Sequence, residues 1–190
     1  MFHQLDRKYP KFRHILLDKF VGRVNPSLIS ILALISAIIS GIFFFYGRFI
    51  FGGIFVLLNG FFDILDGEIA KREKKQTKIG DFIDHTLDRV SDIFIFGGIS
   101  MSGYVPQYLG FLALISILFV SYLGTQAQAL LDKRYYGGIL GRADRLFILS
   151  LFSILTPYLK IIMYYGIWII FILSIITAIQ RIKFIYDNLS

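Results

Sequence analysis

Six stretches of the chain are built almost wholly from apolar side chains for about 20 residues each, the length a helix needs to cross a bilayer core of roughly 30 Å. They fall at 27–46, 49–70, 79–101, 107–130, 144–163 and 164–185. Turn and charge signals separate them, at Asn25-Pro26, Tyr46-Gly47-Arg48, Gly103-Tyr104-Val105-Pro106 and Tyr164-Tyr165-Gly166. The pattern predicts an all-α integral membrane protein with six transmembrane helices. Ahead of them, residues 1–25 mix Leu5, Tyr9, Phe12, Ile15, Leu16 and Phe20 with basic side chains, which predicts an interfacial amphipathic helix lying in the headgroup plane. Charge persists to Arg23 with no cleavage-like site after a short apolar run, so this arm does not read as a signal peptide. With no internal repeat and no low-complexity linker, the expected organisation is a juxtamembrane arm over 1–25 and one transmembrane domain over 26–190.

Composition agrees: 56% hydrophobic residues, 17% charged and a mean hydropathy of +0.67 exclude a soluble domain. The absence of cysteine excludes a disulfide scaffold and any Cys-ligated zinc or iron–sulfur site, and leaves hard, oxygen-bound metals open. Twenty Lys and Arg against 13 Asp and Glu give a net charge of +7, which in this setting reflects topology and anionic headgroups rather than nucleic acid. With six spans, the amino-terminal arm, loops 2–3 and 4–5 and the carboxyl end share one side. That side carries seventeen of the basic residues, against Arg48 and Lys160 on the other, with Arg89 left inside the third span. Basic residues beside spans favour the cytoplasm, so a multi-pass protein of the cell (plasma) membrane with both termini cytoplasmic is expected.

Acidic residues are distributed far less evenly. Eight of the 13 lie between Asp63 and Asp92, at the facing ends of the second and third spans. Residues three and four apart share a helix face, so Asp63 and Asp66 stack on one span while Asp84 and Asp88 stack on the other. Four carboxylates at membrane depth repel one another and are costly to desolvate, unless cations neutralise them or water reaches them. Mg²⁺ or Mn²⁺ is the natural partner, and two such ions about 4 Å apart can clamp a phosphoryl group during displacement. Gly53, Gly60 and Gly67 recur every seven residues. Helix packing accounts for the first two, whereas Gly67, beside Asp66, and Gly80, one turn before Asp84, fall at the site. His85 is turned off the Asp84 face, which assigns it to packing or the interface, and Arg89 and Asp92 are expected to pair or to flank the site.

Read in order, Asp63-Ile-Leu-Asp66-Gly67-Glu-Ile-Ala70-Lys71, then eight residues, then Gly80-Asp-Phe-Ile-Asp84-His-Thr-Leu-Asp88, resembles the signature of the CDP-alcohol phosphotransferase (CDP-alcohol phosphatidyltransferase) family. That signature is D-x-x-D-G-x-x-A-R, eight residues, G-x-x-x-D-x-x-x-D. Every fixed position is met except Lys71, where the family usually has Arg, and Arg72 follows at once. The resemblance implies a transferase of phospholipid biosynthesis that moves a phosphatidyl-type group, archaetidyl or diacylglycerol phosphate, from a CDP-linked lipid to the hydroxyl of a second alcohol, releasing CMP. It implies Asp63, Asp66, Asp84 and Asp88 as ligands of two ions, with Asp88 also the general base. It places Gly67, Lys71 and Gly80 around the CDP moiety, with Thr77 beside them.

The second basic cluster, Asp132 to Arg145, is a glycine-rich turn leading into the fifth span, and arginines beside backbone amides make a phosphate receptor. The Arg142-Ala-Asp-Arg145 segment and Gln180-Arg181 resemble the branch that uses inositol phosphate, which implies Arg145 and Arg181 as holders of the acceptor phosphate with Arg142 assisting. That branch tends to carry a Lys on the fourth span, and Tyr122 to Gln128 here has no charge. Glycerol phosphate, serine or another small alcohol is the alternative acceptor. A cation or proton transporter would also bury acids, but along a path rather than at one mouth. A catalytically silent membrane partner fits poorly with four intact aspartates. Glycine and aromatic surfaces are compatible with a homodimer.

Overall fold

The structure is a computed structural model that describes residues 26–72, 77–132 and 135–189. The expected interfacial arm over 1–25 lies outside the described residues, as do Glu73, Lys74, Lys75, Lys133 and Arg134. Six helices and no strands are present among the described residues: α1 (Pro26–Phe45), α2 (Phe49–Arg72), α3 (Lys78–Met101), α4 (Gln107–Leu131), α5 (Arg142–Leu155) and α6 (Ile161–Leu189). Four stretches are long and apolar enough to cross a membrane, Ser27–Phe45, Phe49–Arg72, Gln107–Leu131 and Ile161–Leu189. The other two helices fall short for different reasons. The first half of α3 is crowded with charge from Lys78 to Asp92, and α5 has only 14 residues.

Local chemistry sets the boundaries. Pro26 opens α1, where its fixed φ suits the first turn and its missing N–H costs nothing. The α1–α2 turn is a Schellman arrangement: Gly47, at φ +70°, donates from its N–H to Phe44 O at 2.9 Å, and Arg48 N donates to Phe43 O at 2.8 Å. Thr77 caps α3 by accepting from Gly80 N at 3.0 Å, and Asp81 in the first turn complements the helix dipole. The expected division of the last two spans at Tyr164-Tyr165-Gly166 is corrected. The chain breaks instead at Thr156–Lys160, where Pro157 cannot continue the helix, and Gly166 lies inside α6. A Cβ on Gly166 would come within 2.8 Å of the Phe152 ring, so that glycine serves a close approach of α5 and α6 rather than a turn.

Packing closes the helices into a ring in the order α1, α2, α5, α6, α4, α3 and back to α1. Phe44, Phe49, Phe96, Leu109, Ile117, Met163 and Ile167 belong to one continuous core running from mid-bundle to the end that holds the α1–α2, α3–α4 and α5–α6 turns. Toward the opposite end this core gives way to two satellites. Ile29, Leu65 and Ile69 join α1 to α2, while Val120, Leu123, Ala127, Ala178 and Ile185 join α4 to α6. The polar residues of α2, α3 and α5 occupy that same end. Ile31, Ile35, Ile115 and Ile179 face outward and exposed, as lipid-facing side chains do.

Candidate active site

Asp63 lies nine residues before the end of α2 and Asp88 ten after the start of α3, so both sit about 14 Å inside the helix ends at 1.5 Å per residue. The acidic residues predicted to converge do so. Carboxylate oxygens of Asp63, Asp66 and Asp84 lie within 4.8 Å of one another, and a second group joins Asp84, His85 and Asp88 by the same measure. Three carboxylates at this separation are an all-oxygen donor set, the kind a hard divalent cation such as Mg²⁺ or Mn²⁺ takes. Asp66 is almost fully buried, and Ser30 on α1 donates to its Oδ2 at 2.6 Å, which fixes the carboxylate. Beside it, a Cβ on Gly67 would meet nothing within 4 Å, so the main chain there borders open space.

The remaining signature positions lie at the facing ends of α2 and α3. Lys71 is exposed and pairs with Glu68 at 3.5 Å. Gly80 and Thr77 are joined by the cap of α3, which gives Thr77 a structural role. His85 reaches Asp81 at 3.0 Å and Asp84 at 3.7 Å, tying the ring into the acidic cluster rather than into packing alone. Gly53 does serve packing: its Cβ would come within 2.9 Å of Ser153, and Ser150 donates to its carbonyl at 2.9 Å.

Three arginines of α5 and α6 take different partners. Arg142 Nη1 lies 2.7 Å from Asp63 Oδ2 and 2.8 Å from Asp88 Oδ1, joining α2 to α3. Its Nη2 donates to Asn59 Oδ1 at 3.4 Å. One turn on, Arg145 is buried and pairs with Asp92 at 2.6 Å. Arg89 and Asp92, expected to pair or flank the site, therefore take different partners: Arg89 lies 3.8 Å from Asp88 and donates to the His85 carbonyl. Arg181 donates from Nε to Gly137 O at 3.0 Å and from Nη1 to Val120 O at 2.7 Å, pinning the segment before α5 onto α6. That segment descends one turn along α6, since Leu140 N donates to Thr177 Oγ1 and Ile139 N to Gln180 Oε1, each at 3.0 Å. The start of α5 is thereby lowered toward the aspartates.

Two residues at the site were not singled out from the sequence. Asn59 donates to Ala33 O at 2.9 Å and holds Arg142 through its carbonyl. An amide in an apolar span one turn before Asp63 is a signal that could have found it. Ser30 carries no such signal, because serines recur throughout α1.

Known proteins resemble this chain over most of its length. The sequence profile of the CDP-alcohol phosphatidyltransferase family matches residues 23–180. The archaetidylinositol phosphate synthase of Pyrococcus horikoshii is 33% identical over 159 residues, 84% of this chain and 82% of that protein. The enzyme of the same name from Methanothermobacter thermautotrophicus is 37% identical over 145 residues, 75% of this chain and 73% of that one. Among solved structures, the phosphatidylinositol phosphate synthase of Mycobacterium tuberculosis with CDP-DAG bound superposes with a TM-score of 0.75 at 24% identity, covering 86% of this chain and 87% of that one. The same enzyme has been solved in complex with manganese and citrate, also at a TM-score of 0.75 and 24% identity.

Proposed function

The chain belongs to the CDP-alcohol phosphatidyltransferase family, and on that premise we propose that it transfers an archaetidyl or phosphatidyl group from a CDP-linked lipid to the hydroxyl of an inositol phosphate, releasing CMP. The observation that carries this reading is the convergence of Asp63, Asp66 and Asp84 within 4.8 Å, with Asp88 joining Asp84 in the second group. The names of the archaeal relatives supply the acceptor, and a homologue solved with CDP-DAG supports the donor.

Held by Asp63, Asp66, Asp84 and Asp88, two Mg²⁺ or Mn²⁺ ions would neutralise the diphosphate and polarise its phosphorus. Asp88 takes the proton of the acceptor hydroxyl as that oxygen attacks the lipid-side phosphorus, and the bond to the CMP oxygen breaks with its electron pair leaving on CMP. Gly67 lets the nucleotide lie against bare main chain, with Lys71, Thr77 and Gly80 around it. Arg142, Arg145 and Arg181 attract the acceptor's phosphate, which a neutral alcohol would not require. In this reading α3 and α5 complete a six-span domain over 26–190 in the plasma membrane, with both termini and the site facing the cytoplasm.

The test is CMP release by purified protein from CDP-archaeol or CDP-diacylglycerol with Mg²⁺, offering inositol 1-phosphate, glycerol phosphates, serine or free inositol. Release dependent on inositol 1-phosphate is expected. Release with another acceptor overturns the arginine assignment and keeps the catalytic one, and no release with any acceptor overturns both.

A further inference from the structure

Resting on the two-ion reading above, we propose that Arg142 gates the second ion position, its guanidinium bridging Asp63 and Asp88 so that it must swing away before those carboxylates can share a divalent cation. Within the cluster, Asp63 and Asp88 share a contact with Arg142. Asp63, Asp66 and Asp84 already converge within 4.8 Å. Asp63 Oδ2 and Asp88 Oδ1, by contrast, each lie under 3 Å from the same nitrogen, Arg142 Nη1. A divalent ion drawn to those two oxygens would share their space with a fixed positive charge, and at such separations like charges repel strongly in a site this enclosed. The guanidinium has an anchor to hold while it moves, since Nη2 bonds Asn59 Oδ1, and the neighbouring Arg145–Asp92 pair at 2.6 Å keeps the first turn of α5 in place.

The gate has a chemical consequence. Arg142 Nη1, 2.8 Å from Asp88 Oδ1, occupies the space through which an acceptor hydroxyl would reach that oxygen. Filling of the second ion position and release of the base are then one event, and the freed arginine is delivered beside the phosphate-binding residues. Thermodynamic linkage makes this reciprocal: whatever holds Arg142 away tightens the second ion.

The test is a Mn²⁺ titration of the full chain in detergent, followed by calorimetry and by the electron paramagnetic resonance of bound Mn²⁺, for wild type, Arg142→Gln and Arg142→Lys. Wild type is expected to bind in two steps, the second weaker. Arg142→Gln should strengthen that second step by about tenfold, inside the roughly 5- to 150-fold range of ordinary linkage. Arg142→Lys, the less disruptive variant, should strengthen it by less, because an ammonium keeps the positive charge that the second ion must displace. A second step left unchanged or weakened in both variants overturns the gate and leaves the two-ion reading standing. A single step, or none, in all three proteins overturns that reading and the gate with it.

Discussion

Arg142 and Arg145 stand one turn apart at the start of α5, yet water reaches them differently: the Arg142 side chain is 19% exposed and the Arg145 side chain 5%. Arg145 therefore depends chiefly on Asp92, the counter-charge 2.6 Å away. Removing one member of a buried pair leaves the other uncompensated, at a cost of about 3–5 kcal/mol, whereas replacing both by apolar residues is often close to neutral. Arg145→Met and Asp92→Leu should each lower the thermal unfolding temperature in detergent, and the double variant should recover most of the loss. The acceptor role of Arg145 separates from this structural one in kinetics. Asp92→Asn should leave the acceptor KM near wild type, while Arg145→Lys, which keeps the charge, should raise it. Equal KM values in both would remove Arg145 from the phosphate pocket. The four aspartates were readable from the sequence because helical spacing of three and four puts each pair on one face before any tertiary structure is known. The Arg145–Asp92 partnership was not, since the two lie 53 positions apart and nothing local distinguishes Asp92 from a flanking acid.

Helices α1 and α3 cross at Gly41 and Gly98 with almost no space between their backbones. A Cβ on Gly98 would stand 2.1 Å from the Gly41 carbonyl oxygen, and one on Gly41 would stand 2.4 Å from that of Phe94. Both obstacles are main chain, so the helices themselves would have to part. Gly98→Ala should destabilise the protein by about 1–3 kcal/mol, the usual range for overpacking, seen as a lower unfolding temperature with donor KM unaffected in the surviving fold. Gly67→Ala should do the opposite. Open space surrounds that position and alanine favours a helix, so stability should hold or rise slightly while the donor KM increases. A Gly67→Ala enzyme with normal donor KM would remove Gly67 from the nucleotide site. The sequence showed where glycines recur but not which ones lie at crossings. In the sequence Gly166, beside two tyrosines, resembles the punctuation of a turn, and only the facing Phe152 ring reveals it as a contact between α5 and α6.

The whole molecule has two chemically distinct ends, and that polarity predicts a topology that can be measured. Among the described residues, Arg48 and Lys160 are the only Lys or Arg at the end holding the α1–α2, α3–α4 and α5–α6 turns, where Lys160 sits over the Tyr104 ring at 5.6 Å. The other end gathers the aspartates, Arg142, Arg145 and Arg181, and the segment pinned to α6. The sequence predicted this separation from charge alone, but α5 strains the prediction, because 14 residues extend only about 21 Å against a hydrocarbon core of roughly 30 Å. The descent of residues 137–140 along α6 compensates, since it carries the chain about one turn inward before α5 begins. The natural chain has no cysteine, so single cysteines can be placed without background at the exposed positions Tyr46, Tyr108, Tyr136, Tyr158 and Tyr186. In intact cells a membrane-impermeant maleimide should label Tyr46→Cys, Tyr108→Cys and Tyr158→Cys, whereas Tyr136→Cys and Tyr186→Cys should react only after permeabilisation. Labelling of Tyr136→Cys and Tyr158→Cys from the same side would mean that α5 does not cross, and the same result for Tyr46→Cys and Tyr108→Cys confirms that α2 and α3 cross as a pair or not at all. A fully inverted pattern would keep six spans and place the aspartates outside, which overturns the cytoplasmic site proposed above.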